Sequence, residues 1–211
     1  MAISFVDKAT GTTSATIPAH QKGDLIVAFC FRDGSNTPPS VPSGRNWTTK
    51  KRDSGANTCS AMVVYKFARD SAETTGTFTS ASSTIVHVYR GVKNLGGVAE
   101  TGASGTTVTY PTVSMSVSDG TSWVAGFAGH RAVDTSLQNA PDGMSARSTV
   151  VDATDEAAGH DTNGGVSSWS NTDVSVGGTS TGWRSITLEL IAAPASTTER
   201  VRYVNTASAG G

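Results

Sequence analysis

The chain has 211 residues, with 16 Lys and Arg against 17 Asp and Glu and a formal net charge of -1. That balance gives no broad field to hold a nucleic-acid backbone or an anionic membrane. A chain this long buries about 70% of the surface it exposes when unfolded, so it folds without a metal or disulfide staple.

Glycine is abundant, at 23 residues, and Ser, Thr and Ala fill most small positions, while leucine and lysine are rare. Helices draw on Leu, Glu, Lys and Gln; strands and tight turns draw on Val, Ile, Thr, aromatics and Gly. Composition therefore points to an all-β protein. The opening "MAISFVDKAT" has neither a basic leader nor a long apolar run, so no secretory signal is expected.

"ISFVDKAT" reads as a first strand and "SATIPA" as a second, with Pro18 placing it at an edge. "GDLIVAFCFRD" is apolar on both faces: Leu25, Val27, Phe29 and Phe31 on one, Ile26, Ala28 and Cys30 on the other. Such a strand is covered on both sides, by a second sheet plus a loop or by a neighbouring subunit. Its seven apolar residues are too few to cross a bilayer. "GSNTPPSVPSG" is loop.

Strands are expected at "NWTTKKRDS", "CSAMVVYKFARD", "GTFTSA" and "STIVHVYRGV". In the last, Ile85, His87 and Tyr89 share one face and Val86 and Val88 the other; Arg90 and Gly91 end it, with Asp119 or Asp134 as partners for the arginine. A glycine-rich break follows. Further strands are expected at "TTVTYPTVSMSV", "SWVAGFAGHRAV", "MSARSTVVDAT" and "GWRSITLELIAA". In the final one Ile186, Leu188 and Leu190 face a core, Arg184 precedes them at the rim, and Ser185, Thr187 and Glu189 face water.

About ten strands with Gly, Pro and Ser turns, and no long amphipathic helix, indicate an antiparallel β-sandwich. The sandwich is expected over residues 1–193, with 194–211 an extended arm or linker. No fixed-period repeat is visible.

Several motifs carry potential chemistry. Gly178 to Gly182 matches G-x-S-x-G around Ser180, but no helix follows to build a nucleophile elbow. Asp152, Asp155, Glu156, His160 and Asp161 cluster in a long loop, Ala153 to Ser170. Their spacing does not match an EF-hand, so a solvated acidic loop is the expected role, and no metal or cofactor is expected. His20, His87, His130 and His160 are scattered and read as structural. Lys50, Lys51 and Arg52 form the one basic run and read as a solvated strand end. Cys30 and Cys59 fall in separate strands and are expected as free buried thiols. Trp123 and Trp183 are expected in the core, whereas Trp169, in the long loop beside Asp155 and Asp161, is the expected surface contact for a glycan or a partner.

"GDLIVAFCFRDGSNTPPSVPSGRNW", "VVYKFARDSAETTGTFTSASSTIVHVYRGV", "APDGMSARSTVVDA" and "GWRSITLELI" together resemble a domain of tailed-bacteriophage virion structural proteins. The closing "RVRYVNTASAGG" resembles the segment that leads into fibrous parts of phage tail proteins. The resemblance implies a jelly-roll or lectin-like sandwich made in the host cytoplasm and placed on the virion, as a capsid decoration or a tail or fibre module. It implies other virion proteins as partners, a homo-oligomer (a trimer being one arrangement) and no catalytic residues. The alternatives are a carbohydrate-binding module for a host surface glycan, acting through Trp169 and the 152–161 loop, and an esterase using Ser180.

Overall fold

The computed structural model describes residues 1–55, 58–133 and 136–194. These residues are all-β, with twelve strands and no helix. In chain order they are β1 (Ser4–Gly11), β2 (Leu25–Asp33), β3 (Thr48–Asp53), β4 (Cys59–Phe67), β5 (Ser83–Arg90), β6 (Val92–Gly105), β7 (Thr107–Tyr110), β8 (Trp123–His130), β9 (Ser145–Val151), β10 (Glu156–Asp161), β11 (Thr172–Ser175) and β12 (Thr181–Ala192).

The first half of the chain makes one sheet, in the order β1-β5-β2-β4-β3, and the second half makes another, β6-β12-β8-β10-β9. Every pairing within them is antiparallel. The sheets stack face to face, with β1 over β9, β5 over β10, β2 over β8, β4 over β12 and β3 over β6. The core between them takes the inward side of each strand: Leu25, Val27, Phe29 and Phe31 from one sheet meet Phe127, Ile186, Leu188 and Leu190 from the other. Phe29 stacks on Phe127 at 5.6 Å. Each such side chain, fully buried, contributes about 1.5–3 kcal/mol of transfer free energy.

Alternation on β2 holds as read, and its second face is also covered. Ile26, Ala28 and Cys30 pack with Met62, Val64, Val86 and Val88 under loop residues Ala15, Ile17, Phe78 and Ala81. The covering material is therefore loop from the same chain. "SATIPA" and "GTFTSA" are part of this cover and not strands; Thr79 makes only an isolated bridge to Ser40. Their apolar residues are spent downward onto the sheet, which leaves no second face for a ladder.

The second sheet is covered in the same manner, by β7, β11 and the segments around them. This changes the reading of β12. Ser185, Thr187 and Glu189 do not face water; all three are fully buried. Ser185 donates to the Thr109 carbonyl at 2.5 Å. The Glu189 carboxylate accepts from the Gly97, Ser116 and Val117 amides and from the Ser122 hydroxyl, at 2.6–3.0 Å. Arg184 is buried too and sits 3.7 Å from Asp53.

Three strands lie where none was expected: β6, β10 and the short β11, which pairs with β7 in the outer cover. The glycine-rich break is the fourteen-residue β6, paired along β12. Its glycines mark close approach, since a Cβ at Gly96 would strike Glu189 and one at Gly102 would strike Arg184. The acidic loop contains β10, every residue of which is buried.

Arg90 ends β5 and grips Asp24, not Asp119, through two bonds of 2.9 and 2.8 Å; Asp134 lies outside the described residues. Gly91 follows at φ 78°, where a side chain would strike the Ala2 carbonyl, and the chain crosses there into the second sheet. Cys30 and Cys59 are both free and buried. They belong to opposite faces of one sheet, Cys30 opposite Met62 and Cys59 opposite Asp33, so no bridge can join them.

Candidate functional site

Trp169, Asp155 and Asp161 are used up by the fold. Trp169 is only 7% exposed and packs on Val113 and Val124, with its carbonyl accepting from the Val113 amide. It pins the outer cover to the second sheet. Asp155 is fully buried and accepts from the Ser83 hydroxyl at 2.5 Å; burial pushes its carboxyl up, against the pull of that bond. Asp161, also fully buried, takes a two-bond grip from Arg147 at 2.9 and 2.8 Å. Asp152 caps the β9–β10 turn through the Thr154 and Asp155 amides. Trp169, Asp155 and Asp161, expected as a glycan or partner surface, are thus found buried: the indole packs into an apolar cluster, and the carboxylates are taken by Ser83 and Arg147. Among the described residues no group of three His, Cys, Asp or Glu could hold a metal ion.

Ser180 is exposed, follows glycines at φ 66° and 55°, and leads straight into β12 rather than into a helix. Nor is the basic run simply solvated. Lys50 donates to the Gly96 carbonyl at 2.6 Å, Lys51 pairs with Glu100 at 2.7 Å, and Arg52 donates to the Pro39 carbonyl at 3.2 Å. The two lysines tie β3 to β6 across one open side of the sandwich, and Arg52 holds the loop before β3.

One constellation escaped the sequence altogether. Ser148 lies 2.7 Å from Nε2 of His87, whose Nδ1 lies 3.1 Å from the Tyr89 hydroxyl, and that hydroxyl is bonded to Asp161. The order is nucleophile, base, hydroxyl, acid. Its setting is structural: His87 is fully buried, Ser148 is 6% exposed, and the rings of Phe5 and Phe127 pack against the imidazole. Burial drives the His87 pKa well below its ordinary value, so the ring stays neutral and serves as a hydrogen-bonding core residue. His87 and Ser148 lie far apart in sequence, and only the stacking of β5 on β9 brings them together.

An open, mostly apolar groove remains, about 690 Å³ in volume. Met1, Ile3, Trp123 and Ile191 form much of its surface, and Lys93 and Asp119 are its charged side chains. Both ends of the described chain meet there. The Met1 amine donates to the Ala193 and Pro194 carbonyls at 2.9 and 3.0 Å, and Pro194 itself lines the groove. The opposite wall runs through Val117 to Thr121 and is held by Glu189, which grips the Ser116 and Val117 amides. Asp119 stiffens that wall by accepting from the Thr121 amide and hydroxyl at 2.9 and 2.6 Å.

No residue in the groove is a poised acid, base or nucleophile. Its chemistry is apolar contact framed by two cations, Lys93 and the Met1 amine, and one anion, Asp119. Among the described residues no Trp, Tyr or Phe is fully exposed; Phe5, Trp47, Tyr65 and Phe67 are half-buried. Comparison with protein-family models, with curated proteins and with solved structures returned no match.

Proposed function

We propose that this protein is a non-enzymatic structural component of a tailed-bacteriophage particle, a capsid decoration or a tail or fibre module, and that its work is assembly. One observation carries the reading most directly. The groups named above with reactive potential (the His87 network, Asp155, Asp161, both thiols) are tied into the interior, whereas the apolar groove opens where Met1 meets Ala193 and Pro194. A surface built this way holds a neighbour and does not turn over a substrate. The chain continues from Pro194 through residues 195–211, whose "RVRYVN" alternates charge with apolar residues. In this reading that segment of a neighbouring copy lies in the groove, and closed symmetry makes the assembly a homo-oligomer.

The carbohydrate-binding alternative has lost its stacking tryptophan to the interior, and the esterase alternative lacks the turn that would present Ser180. The test compares the full chain with a chain ended at Pro194 by native mass spectrometry. The full chain is expected as a discrete oligomer and the shortened one as a folded monomer. A monomeric full chain, or an oligomer indifferent to the truncation, would count against this reading.

A further inference from the structure

Numbered within its own half, each sheet has the same order. The first is 1-5-2-4-3. If β6, β8, β9, β10 and β12 are taken as a second set of five, the other sheet is also 1-5-2-4-3. The likeness extends to register. Phe5 opposes Tyr89 as Leu95 opposes Leu190; Ile85 opposes Phe29 as Ile186 opposes Phe127; Phe31 opposes Ala61 as Gly129 opposes Ala157; Tyr65 opposes Thr48 as Asp161 opposes Ser145.

Four of the five ladder irregularities coincide as well, the exception being a second shift of β6 against β12 near Lys93, and these are harder to explain by the demands of any sandwich. Strands β1 and β6 each carry a bulge just after Phe5 and Leu95, and β3 and β9 each carry one at Lys50 and Arg147. Bulges are placed features, not noise. Both bulged residues in the second pair are cations that reach across to the opposite sheet: Lys50 to the Gly96 carbonyl, Arg147 over the Phe5 ring at 4.5 Å. Two residues before β3 and β9, Asn46 and Gly143 are both left-handed, at φ 58° and 83°.

One bond to the covers recurs at matching strand positions: Thr84 donates to the Thr12 carbonyl at 2.6 Å and Ser185 to the Thr109 carbonyl at 2.5 Å.

We infer that the chain is an internal duplication: residues 1–91 and 92–193 are two copies of one five-stranded unit, fused so that a single chain builds the sandwich a homodimer of units would build. The facing pairs fit a pseudo-two-fold axis along the strands. Strand β2 faces its own counterpart β8, and β1 and β3 face the counterparts of β3 and β1. Phe29 and Phe127 stack on that axis, and Phe31 over Gly129 shows the two central strands running the same way. The ends of the two units lie side by side, since the Ala193 amide donates to the Gly91 carbonyl at 2.7 Å.

The duplication also marks where the copies have diverged. Asp24 and Arg90 plug one end of the first unit with their ion pair; their counterparts are Ser122 and Ile191, and the apolar groove lies there instead.

A circular permutant tests the inference with every residue kept: it starts at Val92, runs through Gly211 into Met1 and ends at Gly91, so that residues 194–211 become the linker. It is expected to unfold in one cooperative step within about 4 °C of the parent, a shift no larger than ordinary surface changes produce in a chain this size. A permutant that does not fold would overturn the inference. Native-state hydrogen exchange on the unaltered chain tests it independently. Strands are expected to protect in pairs, β2 with β8, β4 with β10 and β5 with β12; one sheet opening as a separate, weaker unit would contradict it.

Discussion

Replacing Glu189 by Gln probes the wall of the groove and the cover of the second sheet together. Gly97 and Ser116 donate to one carboxylate oxygen, Val117 and Ser122 to the other. A glutamine keeps one acceptor oxygen and puts an amide NH₂ where the other was. In the better orientation the Ser122 hydroxyl turns to accept, and the Val117 amide alone is stranded. A stranded buried donor costs about 1–3 kcal/mol, and the remaining bonds lose their charge assistance. The loss should total about 2–4 kcal/mol, or roughly 10 °C in Tm for a chain of this length.

Thermal and urea unfolding followed by tryptophan fluorescence would read it, since Trp123 adjoins Ser122. The pH dependence adds a signature. Burial pushes the Glu189 carboxyl up, but its four donors outweigh that and hold it below 4.5. Its contribution is therefore present above pH 4.5 and lost as pH falls through the lower folded value. The parent should lose stability faster than the glutamine variant in that window. A glutamine variant within about 0.5 kcal/mol of the parent at pH 7, the range of an ordinary surface change, would refute the role given to Glu189.

Three further outcomes are expected. Arg90→Ala should cost about 1–3 kcal/mol at pH 7, because Asp24 keeps only its bond from the Gln21 amide. Burial pushes the Asp24 carboxyl up, but the Arg90 bonds and the Gln21 amide outweigh that and hold it below 3.8, so the gap between variant and parent should close as pH falls through that range in urea titrations; a gap independent of pH would refute the pairing. Burial pushes the Cys59 thiol up to about 11 and Cys30 higher still, so neither should react with a thiol reagent at pH 8 until the chain is denatured; prompt reaction of either would place it at the surface. Trp169→Ala should cost about 3–5 kcal/mol as a core truncation, and a variant of parental stability that had lost binding to a sugar would restore the carbohydrate reading.

The sequence made plain those elements whose two faces differ only in which apolar residues they carry. Strand β2 has seven apolar residues in a row, and β5 alternates cleanly to Arg90 and Gly91, so class and register were readable there. Strand β6 was hidden because its glycines resemble a turn, although they are empty places that Glu189 and Arg184 fill from the neighbouring strand. Strand β10 was hidden because Glu156, His160 and Asp161 look solvated, when Arg147 of β9 and Tyr89 of β5 bond Asp161 and the Tyr110 ring packs edge-on to His160. The outward side of β12 misled for the same reason. A polar residue under a cover of irregular loop gives no periodic sign of being covered. The duplication left no repeat in the sequence because loop lengths differ between halves: Phe5 answers to Leu95 but Ile85 to Ile186, so no single period survives. What persists is geometry, in strand order, bulges and hydroxyl bonds.

Whether this protein assembles rather than reacts is tested most directly by peptide mass spectrometry of purified phage particles from cells that make it. The chain is expected in the particle band in fixed proportion to the other structural proteins, through repeated banding. Its absence from particles, with the protein recovered wholly in the soluble lysate, would contradict the account.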